Sequence, residues 1–376
     1  MRPTSGRVTD IRALRRRWTA WTALLGLLLA GCATEGLPQS ALDPAGPVAR
    51  EQDRLWTIVF WIAVGVFVLV QGLILYAVLK FRDQGGDDIP KQVAGNTRLE
   101  VLWTLIPAVI LIGIAVPTVR TIFDLAEAPG DDALDVRVVG KQYWWEFEYL
   151  DEESQGIVTA NELHIPAGRE VALDMQSLSS TLPDPGPDAV PEIGQDVSSG
   201  VIHSFWVPRL AGKQDVVPGH TRRLMIQADE PGVYPGQCAE FCGLSHARMR
   251  FEVIAHEPDE FDAWLDEQAQ PADAAPGGLA AEGEELFQSQ QCINCHAVDG
   301  YEAAAGAPAE VRIGPNLTHF AGRRKFAGGI FDVDDREQLQ AWLRNPQAEK
   351  AGSQMPNLGL SDDQIDALTE YLYTLK

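Results

Sequence analysis

The chain has 376 residues and a formal net charge of −23 at pH 7, from 53 acidic and 30 basic side chains. That length suggests roughly two or three domains. So acidic a chain excludes nucleic acid as a natural partner, and its charge suits a basic soluble partner or serves solubility alone.

The N-terminal segment has the composition of an export signal. Six arginines lie within the first 17 residues, and a short apolar run follows them and ends at Cys32. A basic region before a short apolar one predicts a signal peptide rather than a membrane span. Residues 29–32 read LAGC, which resembles a bacterial lipoprotein cleavage box, so we expect Cys32 to become the lipidated first residue of the mature chain. A signal cut elsewhere would instead discard Cys32.

Two further apolar segments are long enough to cross a bilayer, since residues 55–79 and 101–119 contain 25 and 19 residues without a charge. Trp103, Glu100 and Arg120 stand where interfacial residues belong, which favours a membrane span over a buried core helix for the second segment. The connecting loop carries four basic residues, Lys80, Arg82, Lys91 and Arg98. By the positive-inside rule this loop is cytoplasmic, and the remainder of the chain is exported.

Beyond about Leu134 the apolar residues alternate with a period of two, which predicts β-strands. One face of this run carries Tyr143, Trp145, Phe147 and Tyr149, and the other, which we expect to be the polar side, carries Gln142, Trp144, Glu146 and Glu148. Short strands between Pro/Gly turns indicate an antiparallel β-barrel or β-sandwich. Residues 181–196 hold four prolines and four acidic residues, and we predict a loop there.

After residue 257 the apolar period becomes helical. We predict an amphipathic helix over residues 259–268 and a flexible linker over 271–278. Ser361 and Gln364 form a possible capping box, and apolar residues at helical spacing follow it. A small all-α domain therefore ends the chain.

The sequence CINCH, with Cys292, Cys295 and His296, predicts covalent attachment of a c-type haem. Two thiols form thioethers to the macrocycle, and the adjacent imidazole ligates the iron. A redox dithiol would require a βαβ context, and a zinc half-site would require a second Cys/His pair, which His319 alone does not supply. We expect Met355 as the other axial ligand, with His319 as the alternative.

The segment CAEFCGLSHARM places Cys238, Cys242, His246 and Met249 within twelve residues. Pro and Gly residues in and before this segment oppose a helix, so a loop between two strands is predicted. A disulfide or a zinc site would fit part of this set. Thiolates, imidazole and thioether on an exported β scaffold favour copper, and two cysteines could bridge two copper ions. The second histidine must come from elsewhere, and His203 in VIHSFWVP is the candidate.

Together these motifs resemble known sequences. VIHSFWVP, KQDVVPG and CAEFCGLSHARM, after two membrane helices, resemble cytochrome c oxidase subunit II. CINCHAVDG, GPNLTHFAGRR and MPNLGLS resemble the cytochrome c domain fused to that subunit in bacterial caa-type oxidases. The resemblance covers the chain from about Trp56 to the C-terminus. It implies a multidomain membrane protein with two transmembrane α-helices, an exported cupredoxin-type antiparallel β-barrel or sandwich, and an all-α class I cytochrome c domain.

The resemblance also implies a mixed-valence dicopper centre, called CuA. Cys238 and Cys242 would bridge the two coppers, and His203 and His246 would each bind one of them. Sharing one electron over two thiolate-bridged coppers spreads the change in charge, so little has to reorganise during transfer.

Weaker ligands and neighbouring sites are implied as well. Met249 would bind one copper weakly, and the backbone carbonyl of Glu240 would bind the other. The Glu240 side chain would reach a magnesium ion at the interface with subunit I. Glu100, in a segment similar to the family pattern E-x-x-W-T-x-x-P, matches a carboxylate at the cytoplasmic mouth of a proton path. The alternative is an interfacial carboxylate without a proton role.

The chain departs from the family pattern at two places. The family's electron-accepting tryptophan lies in a run resembling G-x-Q-W-x-W, whereas here GKQYWW has Tyr143 at the first aromatic position. Either Tyr143 or Trp144 would then accept the electron. Residues 181–196 resemble an insertion, which would either cover the copper end of the domain or form an inert acidic loop.

The function implied is that of an electron-input subunit of a terminal respiratory oxidase. Electrons would pass from an external donor, such as a soluble or membrane-bound cytochrome c, through haem c to CuA. They would continue to subunit I, which carries haem a and CuB, where oxygen is reduced to water with proton pumping; subunit III and membrane lipid are further partners. The alternatives are the CuA subunit of a nitric oxide reductase and a membrane-anchored copper-delivery protein. The predicted location is the bacterial inner membrane, with both cofactor domains on the periplasmic or extracellular side.

The expected order of segments is as follows: a lipoprotein-type signal peptide (1–31), an N-terminal exported segment (32–54), transmembrane helix 1 (55–82), a cytoplasmic loop (83–99), transmembrane helix 2 (100–122), the CuA domain (130–256), a helix and linker (257–280), and the cytochrome c domain (281–376).

Overall fold

A computed structural model describes residues 22, 26, 36–82, 92–152, 154, 156–178, 200–273, 275–290, 292–298 and 313–376. Cys32, the loop at 181–196 and, apart from residues 22 and 26, the predicted signal peptide lie outside the described residues.

Within the described residues, two helices, α1 (Pro47–Phe81) and α2 (Thr97–Asp124), are long and apolar enough to cross a membrane. The Asn96 side chain caps α2 by accepting bonds from the Arg98 and Leu99 amides at 3.2 and 3.3 Å. Helix α1 begins at Pro47 rather than at the predicted residue 55. The extra turns lie against the exported part of the chain, where Arg50 pairs with Asp229, so they are set by protein contacts rather than by bilayer thickness.

The exported part contains two five-stranded sheets that pack into a sandwich. Their orders are β3-β2-β1-β5-β8 and β4-β10-β9-β6-β7. The strands are β1 (Leu134–Lys141), β2 (Trp144–Tyr149), β3 (Val158–Ala160), β4 (Glu162–Pro166), β5 (Val171–Ser177), β6 (His203–Trp206), β7 (Gln214–Val216), β8 (Arg222–Ile226), β9 (Gly232–Cys238) and β10 (Arg250–His256).

The sheets are mixed, whereas the sequence predicted antiparallel pairing throughout. Strands β1 and β5 are parallel, and so are β4 and β10. The chain reaches β5 only after passing through β4 in the other sheet, and such a crossover allows parallel neighbours.

Aromatic side chains fill the core between the two sheets. Trp145 meets Phe205 edge to face with ring centroids 5.4 Å apart, and Phe205 stacks on Phe251 at 4.4 Å. Phe147 and Tyr149 are fully buried on the same face as Trp145, as the period of two predicts. This aromatic contact fixes the ends of β2, β6 and β10 relative to one another.

The opposite face of β2 is buried as well, so the prediction of a polar face there is wrong. Trp144 is 8 % exposed and Glu146 is fully buried. Lys141 is also fully buried, and its Nζ lies 3.2 Å from the Glu146 carboxylate and 4.9 Å from the Trp144 ring centroid. The Lys141–Glu146 pair lies close to the turn of the β1–β2 hairpin, and that turn contains Gln142 and Tyr143.

The C-terminal domain is helical, with one short ribbon that the sequence did not predict. Helix α3 (Pro258–Gln268) joins it to the sandwich, and its helices are α4 (Leu279–Ser289), α5 (Arg336–Arg344), α6 (Pro346–Glu349) and α7 (Asp362–Leu372). Two-residue strands β11 (Lys325–Phe326) and β12 (Phe331–Asp332) form the ribbon. Phe287 of α4 meets Tyr371 of α7 at 5.5 Å, and the predicted Ser361–Gln364 capping box is confirmed.

Candidate copper and haem sites

The cysteine-rich segment 238–249 connects two neighbouring antiparallel strands. Cys238 ends β9, a single turn of 3₁₀ helix spans His246–Arg248, and β10 begins at Arg250. The predicted loop is therefore confirmed. The pairing of β9 with β10 anchors both of its ends, and the pairing of Cys238 with Phe205 aligns β6 beside it.

The loop and β6 bring thiol, imidazole and thioether groups together. The Sγ atoms of Cys238 and Cys242 are 3.8 Å apart. His203 Nδ1 lies 3.8 Å from Cys238 Sγ, and His246 Nδ1 lies 3.8 Å from Cys242 Sγ. Met249 Sδ is 3.8 Å from Cys242 Sγ, so the five side chains surround one small volume.

A sixth donor is the carbonyl oxygen of Glu240, which lies 3.2 Å from Cys238 Sγ. Both cysteines are free thiols, which excludes a disulfide between them. Two thiols, two imidazoles, a thioether and a carbonyl exceed the four ligands of a structural zinc site. Soft sulfur ligands together with imidazoles are typical of copper.

The two thiols are in contact and buried, with Cys238 5 % and Cys242 3 % exposed. The Cys242 thiol donates a hydrogen bond to the Cys238 sulfur, which lowers the pKa of Cys238. The same bond retains the proton on Cys242 and raises its pKa. A second thiolate in this place requires a cation beside it, so the donor set fits a bound copper centre.

A cavity of about 630 Å³ lies between the helical domain and the sandwich. Cys292, Cys295 and His296 line it, and so do the apolar side chains of Phe287, Phe326, Trp342, Leu339 and Leu368. His296 Nδ1 donates to the Pro315 carbonyl at 2.9 Å, which leaves Nε2 available to a metal. Burial lowers the pKa of His296, which favours the neutral ring that a metal binds. The cavity therefore fits a haem attached to this motif.

The two possible sixth ligands lie in different places. Met355 lines the cavity. The His319 side chain does not belong to that lining, and its Nε2 lies 3.3 and 3.1 Å from the Gln268 and Gln270 carbonyls. His319 thus holds the end of α3 and the following turn to the helical domain.

The β1–β2 hairpin lies between the cavity and the cysteine-rich segment 238–249, which we call the copper loop. Gln142, Tyr143 and Trp144 all line the cavity. The Tyr143 hydroxyl accepts a bond from the Leu244 amide at 3.1 Å, and Gln142 Nε2 donates to the Cys242 carbonyl at 2.5 Å. The hairpin therefore touches both sites at once.

Some of these residues were not singled out from the sequence. Gln142 directly precedes the aromatic run that holds Tyr143 and Trp144, and this neighbourhood was the available signal. Lys350, which bonds to the Tyr143 carbonyl, had no signal because it lies 207 residues further along the chain.

Glu100 and Glu240 occupy exposed positions. Glu100 lies in the first turn of α2, and its carbonyl accepts a bond from the Thr104 hydroxyl at 2.9 Å. The Glu240 side chain is exposed beside Phe241, which is 75 % exposed.

Membrane-length helices, a sandwich with a copper-type donor set and a helical domain with a haem-attachment motif define a membrane-anchored electron-transfer protein. Family models for the cytochrome c oxidase subunit II transmembrane domain, its periplasmic domain and cytochrome c match residues 37–121, 134–256 and 280–376. The chain belongs to the cytochrome c oxidase subunit II family, in the form that carries a fused cytochrome c domain.

Relatives and a solved structure resemble this chain. Cytochrome c oxidase subunit 2 of Alkalihalophilus pseudofirmus is 39 % identical over 363 residues, covering 94 % of this chain and 95 % of the relative. The same subunit of Bacillus subtilis is 36 % identical over 372 residues, covering 94 % and 96 %. The periplasmic domain of subunit II of cytochrome oxidase from Bradyrhizobium japonicum is 22 % identical, with a TM-score of 0.30, covering 38 % of this chain and 96 % of that domain.

Family membership establishes the main features of the chain. It is a subunit of a haem-copper terminal oxidase, an oxidoreductase, and its cofactors are CuA and haem c. It supplies electrons through haem c and CuA to subunit I, where oxygen is reduced, and it associates with the other oxidase subunits. It is anchored in a membrane and carries an exported domain.

Proposed function

We propose a specific set of residues for the electron path of this subunit. The observation that supports it most directly is the β1–β2 hairpin, which borders the haem cavity on one side and bonds to the copper loop on the other. When bound, haem c and CuA take up and release single electrons. The chain's own residues hold these groups, orient them and separate them from water.

For copper, we propose Cys238 and Cys242 as the bridging thiolates and His203 and His246 as the imidazole ligands. Met249 Sδ and the Glu240 carbonyl supply the weak ligands. The distances between these donors support this assignment, and so does their burial.

For haem, we propose thioethers to Cys292 and Cys295 and axial ligation by His296 and Met355. The position of Met355 in the cavity lining supports it over His319. A thioether ligand opposite histidine raises the reduction potential, which suits an electron carrier.

We propose Tyr143, rather than Trp144, as the residue that accepts the electron on its way to copper. Both line the cavity, and the Tyr143 hydroxyl also bonds to the Leu244 amide in the copper loop. Trp144 contacts Lys141 on the other side of the hairpin.

We further propose that the face around Glu240 and Phe241 meets subunit I, with a magnesium ion on the Glu240 carboxylate. An aromatic ring that is 75 % exposed beside the copper loop supports an interface there. Glu100 is proposed as the cytoplasmic entrance of a proton path, on the strength of its place at the start of α2.

We place the subunit in a bacterial inner membrane, with Cys32 lipidated after removal of residues 1–31. The basic loop between the helices supports export of both cofactor domains to the periplasmic or extracellular side. The proposed donor is a soluble or membrane-bound cytochrome c or another external electron donor, and the proposed partners are subunits I and III. We propose domain boundaries at 130–256 and 281–376, which the matched ranges 134–256 and 280–376 support.

The copper assignment predicts that Cys242→Ser removes one bridging thiolate. We expect the purified complex to lose the EPR signal of one electron shared by two coppers, and to show mononuclear copper or none. Met249→Leu is the matched control, and it should retain the two-copper signal because the thioether is a weak ligand. A mononuclear four-line signal in the unmodified complex would show the assignment to be wrong.

The haem assignment predicts that Met355→His keeps the haem attached but lowers its reduction potential, because the thioethers are untouched and a stronger donor replaces sulfur. A redox titration of the haem absorption band measures this shift. His319→Gln should leave the potential unchanged. If only His319→Gln alters the reduction potential, the haem ligand is His319 and not Met355.

The electron-accepting role of Tyr143 predicts that Tyr143→Leu slows haem-to-copper transfer more than Trp144→Leu does. Transient absorption after photoreduction of the haem measures both rates. Tyr143→Phe keeps the ring, so it separates the contribution of the ring from that of the hydroxyl bond to Leu244. A larger effect in Trp144→Leu would assign the role to Trp144.

The proton-path role predicts that Glu100→Gln slows proton uptake from the cytoplasmic side and lowers turnover. Haem-to-copper transfer should keep its rate, since that step lies on the opposite side of the membrane. Asp124→Asn, at the exported end of the same helix, is the matched control. Unchanged proton uptake in vesicles containing Glu100→Gln would remove Glu100 from the path.

A further inference from the structure

The haem domain and the sandwich also meet along a set of direct hydrogen bonds between the two domains. The Arg250 amide at the start of β10 donates to the Gly328 carbonyl at 2.8 Å. The Glu162 carboxylate, which is 2 % exposed, accepts bonds from the Arg324 and Lys325 amides at 2.7 and 2.8 Å. These are bonds between main chain and buried groups, so they hold one fixed relative position of the two domains.

Lys350 lies at the centre of this surface. It is 3 % exposed, and its Nζ donates to the carbonyls of Tyr143 at 2.6 Å and Ala327 at 2.8 Å. One of these carbonyls belongs to the sandwich and the other to the haem domain. Burial lowers the pKa of Lys350 to about 7, which reflects the cost of holding a charge there. A buried ammonium is stable only when its hydrogen bonds are made. The bond from Lys350 to the Tyr143 carbonyl can form only when the two domains are in this docked arrangement.

The Gly328–Gly329 turn permits this close approach. Both residues have positive φ, at 78° and 73°. A Cβ atom on Gly328 would clash with Lys350 Nζ and lie 2.6 Å from the Tyr143 carbonyl, and one on Gly329 would lie 2.8 Å from the Arg250 backbone. Glycine is therefore required on both conformational and steric grounds.

The copper loop takes part directly. The Ser245 hydroxyl donates to the Ala351 carbonyl at 2.5 Å, and Arg248 bonds to the Glu349 carbonyl. The segment that follows α6 therefore rests on the loop that carries the copper donors. We call Glu162, Ser245, Gly328, Gly329 and Lys350 the interdomain clamp.

The clamp distinguishes two ways in which a fused carrier could work. A domain on a flexible tether would dock and undock, so its transfer rate would depend on a docking equilibrium. A domain held by buried bonds would deliver its electron from one arrangement. The clamp bonds to the backbone of Tyr143, the residue whose side chain lies between the haem cavity and the copper loop.

We propose that Lys350 is the positioning residue of this clamp: it fixes the haem domain on the Tyr143 hairpin, so that haem-to-copper transfer proceeds without a docking step. The proposal rests on the electron-accepting role proposed for Tyr143. It goes beyond that role by assigning the interdomain geometry to a buried lysine and a glycine turn, of which Lys350 and Gly328 also line the haem cavity.

The test uses the complete oxidase with Lys350→Met and, separately, with Gly328→Ala. The added Cβ of Gly328→Ala would clash with Lys350 Nζ and so disturb the same contact without changing the lysine. Hydrogen exchange of the Arg250, Arg324 and Lys325 amides reports docking, and transient absorption reports haem-to-copper transfer at several viscosities and salt concentrations. Lys376→Met removes the same charge from an exposed site of the same domain and is the control. Haem content and the copper EPR signal establish that each variant is folded and loaded.

In the unmodified oxidase we expect transfer that is independent of viscosity and salt. Both clamp variants should exchange these amides at least about tenfold faster, because bonds to a charged group are lost or displaced. Their transfer should become slower and dependent on viscosity. Exchange and transfer equal to those of Lys376→Met would overturn the proposal.

Two mixed results would also overturn it, and they separate it from the proposed role of Tyr143. Slower transfer with unchanged exchange would mean that Lys350 affects the electron path without holding the domains, and Tyr143 would keep its role. Faster exchange with unchanged transfer would mean that the clamp does not control the reaction, and it would count against Tyr143 as well.

Discussion

Two buried thiols 3.8 Å apart cannot both ionise readily without a cation between them. The hydrogen bond from Cys242 to Cys238 lowers the pKa of Cys238 and raises that of Cys242, so the metal-free pair favours one thiolate. A copper centre supplies the missing positive charge and permits the second thiolate. The neighbouring side chains lie close to this pair, with His203 Nδ1 at 3.8 Å from Cys238 Sγ, and His246 Nδ1 and Met249 Sδ each at 3.8 Å from Cys242 Sγ.

The sandwich meets this requirement by fixing the ends of three strands. Strand β6 supplies His203, β9 supplies Cys238, and β10 begins directly after Met249. The aromatic cluster of Trp145, Phe205 and Phe251 packs beside them, and Trp145 meets the His203 ring edge to face at 5.7 Å, so close packing supports the strand ends where the donors converge. The loop sets the spacing between Cys238, Cys242 and His246 along the chain, and the strands fix where the two ends of the loop and His203 lie.

The motifs of both sites could be predicted from sequence because their donors are close together along the chain. CINCH and CAEFCGLSHARM each place several of the proposed ligands within one turn or loop, and of the proposed set only His203 and Met355 come from a distance. The helical capping box was predictable for the same reason, since it depends on residues three apart. The burial of Trp144 and Glu146 was not predictable, because the haem domain and Lys141 cover a face that the period of two assigns to solvent. Lys350 resembles any surface lysine in the sequence, and only the fold places it 2.6 Å from a carbonyl 207 residues earlier.

The acidity of the chain explains why the two domains are joined in this manner. With a net charge of −23, two acidic surfaces repel each other, and screening by salt would make any charge-guided docking variable. The observed contacts are less subject to such screening, because they use main-chain amides together with the Glu162 carboxylate and the Lys350 amine, which are 2 % and 3 % exposed. An ion pair of opposite charges also crosses the boundary, between Arg324 of the haem domain and Glu252 of the sandwich at 3.0 Å. The acidic exterior is then free to attract a basic electron donor while the internal contact remains independent of it.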